Sequence, residues 1–244
     1  MKNIKLILEY DGTNYCGFQR QRSQITVQQC LEEAISSLTG EEVQLIGCSR
    51  TDSGVHAREF VANFKTLSSI PAERFKNAIN TKLPEDIAII KSEEAEEDFH
   101  ARFSAKGKTY SYTILNQNNR SALYRNCSYH VKPFLDIEKM KSACEFFLGT
   151  HDFSAFKSSG GQTKSSVRTI KELTIKAEGS FIRIYVTGDG FLYNMVRIIA
   201  GTLIEVGQGR ILPSDIEGII LSRDRTKAGR CAPPQGLILE KVYY

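Results

Sequence analysis

The stretch that most limits how this chain can fold is a polar turn held between two apolar runs. Val43-Gln44-Leu45-Ile46 reads as a short strand before it, and Glu59-Phe60-Val61-Ala62-Asn63-Phe64 follows it. In the second run Phe60, Ala62 and Phe64 alternate as one face of a half-buried strand. Between them lies Cys48-Ser49-Arg50-Thr51-Asp52-Ser53-Gly54-Val55-His56-Ala57, which packs an arginine, an aspartate, a histidine and two hydroxyls into the seven positions from Arg50 to His56. A hairpin needs only Gly, Asn or Asp to turn. This one carries more polar chemistry than turning requires.

Strand and helix periods alternate along the rest of the chain. Ile4, Leu6 and Leu8 alternate as a first strand. Thr26-Val27-Gln28-Gln29 has the spacing of a capping box. Val27, Cys30, Leu31, Ala34, Ile35 and Leu38 then recur at helical spacing until Gly40. Pro71 opens a second helix with Phe75, Ala78 and Ile79 as its stripe, and Ile87–Ile90 is a short strand. The acidic run Glu93–Asp98 reads as a solvated loop that repels a polyanion. Asp136 caps a helix carrying Ile137, Met140, Ala143, Cys144, Phe147 and Leu148, closed by Gly149. Strands follow around Arg168–Ile175 and Phe181–Val186. Gly188-Asp189-Gly190 then launches a helix apolar nearly all round, hence buried. Pro213 opens a last helix, and the chain ends in a strand containing Leu237. The pattern predicts two α+β halves with antiparallel sheets, residues 1–105 and 106–244.

Composition narrows the class. A chain of 244 residues is long enough for a real core, and 41% hydrophobic with 25% charged content is that of a soluble globular protein. No run approaches the length of a membrane span. Met1–Lys5 enters a strand pattern rather than a signal peptide, so a cytoplasmic protein is expected. The six cysteines show no C-x-x-C spacing, which argues against a zinc or redox site. They read as small buried hydrophobes plus one or two loop thiols. No phosphate-binding or dinucleotide-binding glycine motif and no metal spacing occurs, so no cofactor and no metal are expected. The net charge of +4 permits a polyanionic partner without demanding one.

Several residues invite chemistry. Arg197 is the only cation between Met195 and Val206. If buried it needs an anion, because an unpaired buried charge is severely destabilising. Glu205 lies two turns away on the same helix, too far for a local pair. A carboxylate from elsewhere must meet Arg197, unless the side chain snorkels to solvent. Tyr110 and Tyr112 lie two apart and share a strand face, which packing alone could explain. His151-Asp152 resembles half of a catalytic triad, but no placed nucleophile accompanies it and a structural turn is expected. Tyr10–Gln21 is a glycine-containing loop rich in donors and aromatic faces. Lys157–Lys164 is a flexible basic loop. Arg20, Gln21, Arg22, Arg102, Lys106, Lys157, Lys164 and Arg168 are the candidates for contact with a polyanionic partner. Asp52-Ser53-Gly54 also fits an aspartic protease, whose chemistry needs a second such carboxylate that the chain lacks. A non-catalytic RRM-like module is the other alternative, and Gly188–Tyr193 is a poor imitation of its RNA-binding string.

Arg50-Thr51-Asp52-Ser53-Gly54-Val55-His56-Ala57 closely resembles the signature of the tRNA pseudouridine synthase A family, with Ser49 and Ser53 where the family usually has Gly and Ala. The resemblance extends over nearly the whole chain. It includes Tyr10-Asp11-Gly12 through Gln21, Phe99-His100-Ala101-Arg102-Phe103-Ser104-Ala105 with Tyr110 and Tyr112, His151–Phe156, Gly188 through Arg197, and Gly236-Leu237. It implies two α+β halves joined by one continuous sheet, with a catalytic cleft between them. It implies conversion of uridine to pseudouridine in the anticodon stem-loop, with tRNA as partner, no cofactor and a homodimeric enzyme. By the same resemblance Asp52 is the nucleophile and Arg197 its ion-pair partner. Tyr110 stacks on the uracil and handles a proton, Leu237 lines the base pocket, and Arg50 positions RNA.

Overall fold

A computed structural model describes residues 1–160, 163 and 165–244; Lys164 and part of the basic loop singled out above lie outside the described residues. In chain order these residues form β1 (Lys2–Tyr10), α1 (Val27–Thr39), β2 (Ile46–Gly47), β3 (His56–Thr66), α2 (Phe75–Asn80), β4 (Ile87–Ala95), β5 (Gly107–Asn116), β6 (Tyr129–Val131), α3 (Ile137–Cys144), β7 (Gly149–Asp152), β8 (Val167–Glu178), β9 (Phe181–Gly188), α4 (Met195–Gly207), α5 (Asp215–Ser222) and β10 (Leu237–Tyr243). The class is mixed α+β, as the pattern predicts. The chain divides into two units, Met1–Lys106 with Leu239–Tyr244, and Gly107–Ile238.

In the first unit the strands run in the order β4-β1-β3-β10, with β2 also paired to β3. β1 and β3 are antiparallel with Ile4 opposite Phe64, Leu6 opposite Ala62 and Leu8 opposite Phe60. Period-two alternation thus puts all six on one face, where each is fully buried. The apolar stripe of α1 (Val27, Leu31, Ala34, Ile35) is buried as well. Thr26 caps α1 by accepting from the Gln29 amide at 3.3 Å. The Gln29 side chain turns to Glu33 instead, so only half of the capping box forms. Gly40, at φ +71°, ends the helix.

Three expectations need correction here. The strand over Val43–Ile46 shortens to Ile46–Gly47, because the Leu45 amide is taken by the Glu32 carboxylate at 3.1 Å rather than by a strand partner. The acidic run is not all loop. β4 continues to Ala95, and Glu93 is neutralised there by Lys5 at 3.1 Å and Lys91 at 2.5 Å. The last six residues, grouped by pattern with the second half, return to the first unit. They are drawn there by the Tyr244 hydroxyl donating to Ala101 O (2.7 Å), by the Lys106 amide donating to Tyr243 O (2.8 Å) and by the Tyr244 ring against Phe99 (5.0 Å).

In the second unit the order is β5-β9-β8-β7. All of these pair antiparallel; the short β6 joins the end of β5 in parallel. Asp136 caps α3 as predicted, accepting from the Lys139 amide at 3.1 Å. In α4, 11 of 13 residues are buried, which bears out the all-round apolar reading. α4 lies against residues 229–232 at backbone distance. A Cβ on Gly201 would sit 1.7 Å from Arg230 O. The Gly229 amide donates to the Thr202 hydroxyl at 2.9 Å, and the Arg230 amide to Glu205 at 3.1 Å. His151 and Asp152 form a structural turn. The His151 ring contacts Leu148 O, while Asp152 accepts from the Ser154 amide and pairs with Arg223 at 3.1 Å. Cys48 and Cys144 are buried, Cys127 is exposed, and the others lie between. Burial, helped by Glu145, pushes the Cys144 thiol up to about 12. Among the described residues no helix is long and apolar enough to cross a membrane.

Gly201→Ala is expected to destabilise the protein by about 1–3 kcal/mol, since a backbone carbonyl has to move to admit the methyl group. Urea unfolding checks this as a lower midpoint at unchanged slope.

Candidate active site

In the first unit the Asp52 turn is shaped by the segment that follows β1. The Val55 amide donates to Asp52 O at 3.2 Å, closing a four-residue turn with Gly54 at φ +76° in its third position. That conformation is easy only for glycine there. Residues 10–18 then hold the turn from outside. The Tyr10 and Thr51 hydroxyls bond at 2.8 Å in the interior. The Phe18 amide donates to Thr51 O at 3.3 Å, and the Gly54 amide to Tyr15 O at 3.3 Å. The Ser53 hydroxyl also donates to Tyr15 O, at 3.2 Å. The serine that departs from the family's usual alanine therefore adds one more tie.

The glycines of this segment are needed for close approach. A Cβ on Gly12 would lie 2.0 Å from Val55 O. One on Gly17, itself at φ +76°, would lie 2.3 Å from Thr51 O. Buried His56 completes the contact. Its Nδ1 is 3.0 Å from both the Gly12 amide and Asp11 Oδ1. Nδ1 accepts from Gly12 when the ring proton is on Nε2, and donates to Asp11 when Nδ1 carries it. Either form pins the ring to the segment. Partial burial opposes ionisation of Asp11, but hydrogen bonds from Thr13 and the adjacent His56 together hold its carboxyl below the ordinary value. Phe18 stacks on Phe60 of β3 at 4.1 Å, so the segment is fixed to the core as well as to the turn. Thr51 is buried while Asp52 is half-exposed and Arg50 exposed. The turn thus buries its frame and leaves Asp52 half-exposed.

In the second unit, Tyr110, Arg197 and Leu237 sit on elements laced together around residues 228–237. Tyr110 is 6% exposed on β5, opposite Val186, with the Phe191 ring edge-on at 5.2 Å. Arg197 is half-buried in the first turn of α4. Its Nε donates to Ala232 O at 2.7 Å and Nη1 to Asn194 Oδ1 at 2.8 Å, which orient the guanidinium. Asn194 takes the left-handed conformation (φ 60°) just before α4, and its Nδ2 is anchored on the Ser158 hydroxyl. The Tyr112 hydroxyl donates to Pro233 O at 2.8 Å, and a Cβ on Gly236 would lie 2.7 Å from the Tyr112 ring. Leu237, 6% exposed, follows directly.

The remaining predicted residues are mixed. Arg20 is held by Glu32 at 2.9 Å, so an RNA phosphate would have to compete with that carboxylate. Gln21 is exposed, with Nε2 on Cys16 O at 3.0 Å. Arg102 is exposed beside the Phe103 ring. Lys157 is half-buried. Arg168 donates to Ser165 O and Val167 O and lies beside Gly190. Sequence reasoning missed His56, Phe18, Phe191 and Asn194 as framing residues. The one usable signal was the pair Gly12 and Gly17, read as turn formers rather than as points of contact. Among the described residues no three His, Cys, Asp or Glu side chains cluster as a metal would require.

Gly17→Ala is expected to cost about 1–3 kcal/mol in stability through strain and overpacking. Urea unfolding checks this too, as a lower midpoint at unchanged slope.

The profile of the tRNA pseudouridine synthase family matches residues 6–104 and 143–244. The chain is 60% identical to tRNA pseudouridine synthase A 2 of Clostridium perfringens over the whole of both chains. It is 57% identical to tRNA pseudouridine synthase A of Clostridium botulinum (strain Alaska E43) and 57% identical to that of Acetivibrio thermocellus, again over full length. The long signature around Asp52, the framing segment that shapes it and these full-length similarities agree: the chain belongs to the tRNA pseudouridine synthase family, an isomerase family.

Proposed function

We propose that this chain converts uridine to pseudouridine in the anticodon stem-loop of tRNA, without a cofactor. Asp52 is the nucleophile and Arg197 the cation that pairs with it. The reaction breaks the N1–C1′ bond, turns the uracil and joins C5 to C1′; the C5 proton is lost and N1 regains one. Nothing is oxidised and no group leaves. An aspartate serves as nucleophile when ionised and desolvated. A neighbouring guanidinium favours the charged form, whereas burial alone opposes it. The observation that carries this reading is the Asp52 turn, in which buried Thr51 and His56 flank a half-exposed Asp52 on a hydrogen-bonded frame.

The oriented guanidinium of Arg197 supports its role as the partner charge. Tyr110 offers a ring held by Phe191 for stacking on the uracil, and Leu237 an apolar wall. The exposure of Arg50 supports a part in positioning RNA. A base must leave the stack before such a site can reach it, at a cost of a few kcal/mol that phosphate contacts offset. The family resemblance supports a homodimer as the working form.

Asp52→Asn is expected to lower tritium release from C5-tritiated uridine in tRNA by on the order of 10³-fold or more, while tRNA binding persists. Wild-type release in this variant contradicts the assignment. Binding without release by the native protein would instead favour the non-catalytic RNA module. For Arg197→Leu the account expects a comparable loss of turnover, checked by the same assay.

A further inference from the structure

Two cavities in the second unit have opposite electrostatic character. One, of about 420 Å³, is lined by Glu145 and Glu217 and repels a polyanion. The other, of about 520 Å³, is lined by Arg120, Arg125, Tyr124, Tyr129, His130 and Gln235, among others, and by no carboxylate. Its charge follows from the sequence. No Asp or Glu occurs from Phe99 to Leu135, in a chain that holds 28 of them. Within the second unit this stretch contributes Lys108, Arg120, Arg125 and Lys132.

Some guanidiniums on the molecule are neutralised: Arg20, Arg58, Arg183 and Arg223 each meet a carboxylate. Among the described residues Arg120 and Arg125 meet none, and Arg125 Nη1 is tied to Ala122 O at 2.7 Å. The cleft walls are preformed. Tyr124 stands edge-on to Phe181 at 4.8 Å, and the Ser128 hydroxyl donates to Tyr124 O at 2.7 Å. His130 Nε2 lies 2.8 Å from Gln117 O, and Tyr129 pairs with Ile114 at the end of β5. A fixed, acid-free cleft with two uncompensated guanidiniums and phenol rings suits a phosphodiester flanked by ribose and base.

We propose that this cleft is a phosphodiester subsite for tRNA, separate from the reacting nucleotide, in which Arg120 and Arg125 take backbone phosphates. The proposal rests on tRNA being the substrate. Its floor residue Leu115 lies five residues beyond Tyr110 on β5, about 17 Å along the strand at the usual rise. One rigid strand therefore carries both the stacking tyrosine and the floor of the phosphate cleft. Contacts here fix the register of the RNA rather than its chemistry.

The test is the double variant Arg120→Ala/Arg125→Ala, with Arg120→Lys/Arg125→Lys as the charge-retaining control. Filter binding of tRNA across a salt series is the readout. Removing two phosphate contacts is expected to weaken binding about tenfold and to reduce the slope of log K against log salt by about 1.4–1.8. The lysine control should retain the slope. Turnover at saturating tRNA should stay within about twofold while kcat/KM falls with affinity. Unchanged affinity and slope in the alanine variant overturn the subsite. So does a change in sedimentation coefficient with an unaltered salt slope, which would mark the cleft as a contact between copies of the chain. Repeating the salt series in an Asp52→Asn background measures the subsite without turnover, so failure of the catalytic assignment and failure of the subsite are told apart.

Discussion

The first unit depends on backbone lying directly against backbone. Residues 10–18 approach the Asp52 turn so closely that two side chains had to be dispensed with, at Gly12 and Gly17. The amides that cross this gap end on Thr51 O, Tyr15 O and the His56 ring. Buried main-chain polar groups must find partners, and here each half of the interface supplies partners to the other. Apart from a single 3-10 turn at Gly12–Asn14, the two segments are irregular between the end of β1 and the start of β3, yet each is tied to the other. The stacked rings of Phe18 and Phe60 carry that constraint into the core under β3.

The second unit solves a related problem with a helix. α4 is buried nearly all round, so its first turn cannot wander, and Arg197 inherits that rigidity. Irregular chain from Gly229 to Gly236 is bonded to the helix on one side and rests on Tyr112 on the other. Glycine again appears where backbone meets backbone, at Gly201 and Gly229. In the first unit Asp52 sits on an irregular turn shaped by the segment packed against it, whereas in the second unit Arg197 and Tyr110 sit directly on α4 and β5. A site gains precision either from a rigid element that carries it or from one that holds its loop.

Regular elements were legible because their periods are physical. Ile4, Leu6 and Leu8 could be placed from alternation alone, and Thr26 and Asp136 from cap chemistry. Elements defined by long-range partners were not. Leu45 looks like a strand residue until Glu32, on α1, takes its amide. Glu93 looks like a solvated acid until Lys5 and Lys91 neutralise it on an edge strand. At the candidate site the Asp52 turn stood out by its polar content and Arg197 as the one cation of a buried helix, but the roles expected of them came from the resemblance of long motifs; periodicity could equally have assigned Tyr110 to packing. His56 was hidden differently. It stood in the signature, but its partners Asp11 and Gly12 lie more than forty residues earlier in the chain.

The central claim is that the Asp52 turn is a fixed frame and not a surface loop. Amide hydrogen exchange in the native state measures this most directly. The account predicts that the amides of Gly12, Phe18, Gly54 and Val55 exchange slowly, with opening free energies close to those of β1 and β3. Exchange of these amides at the rate of an unprotected loop, in fully active protein, would contradict it.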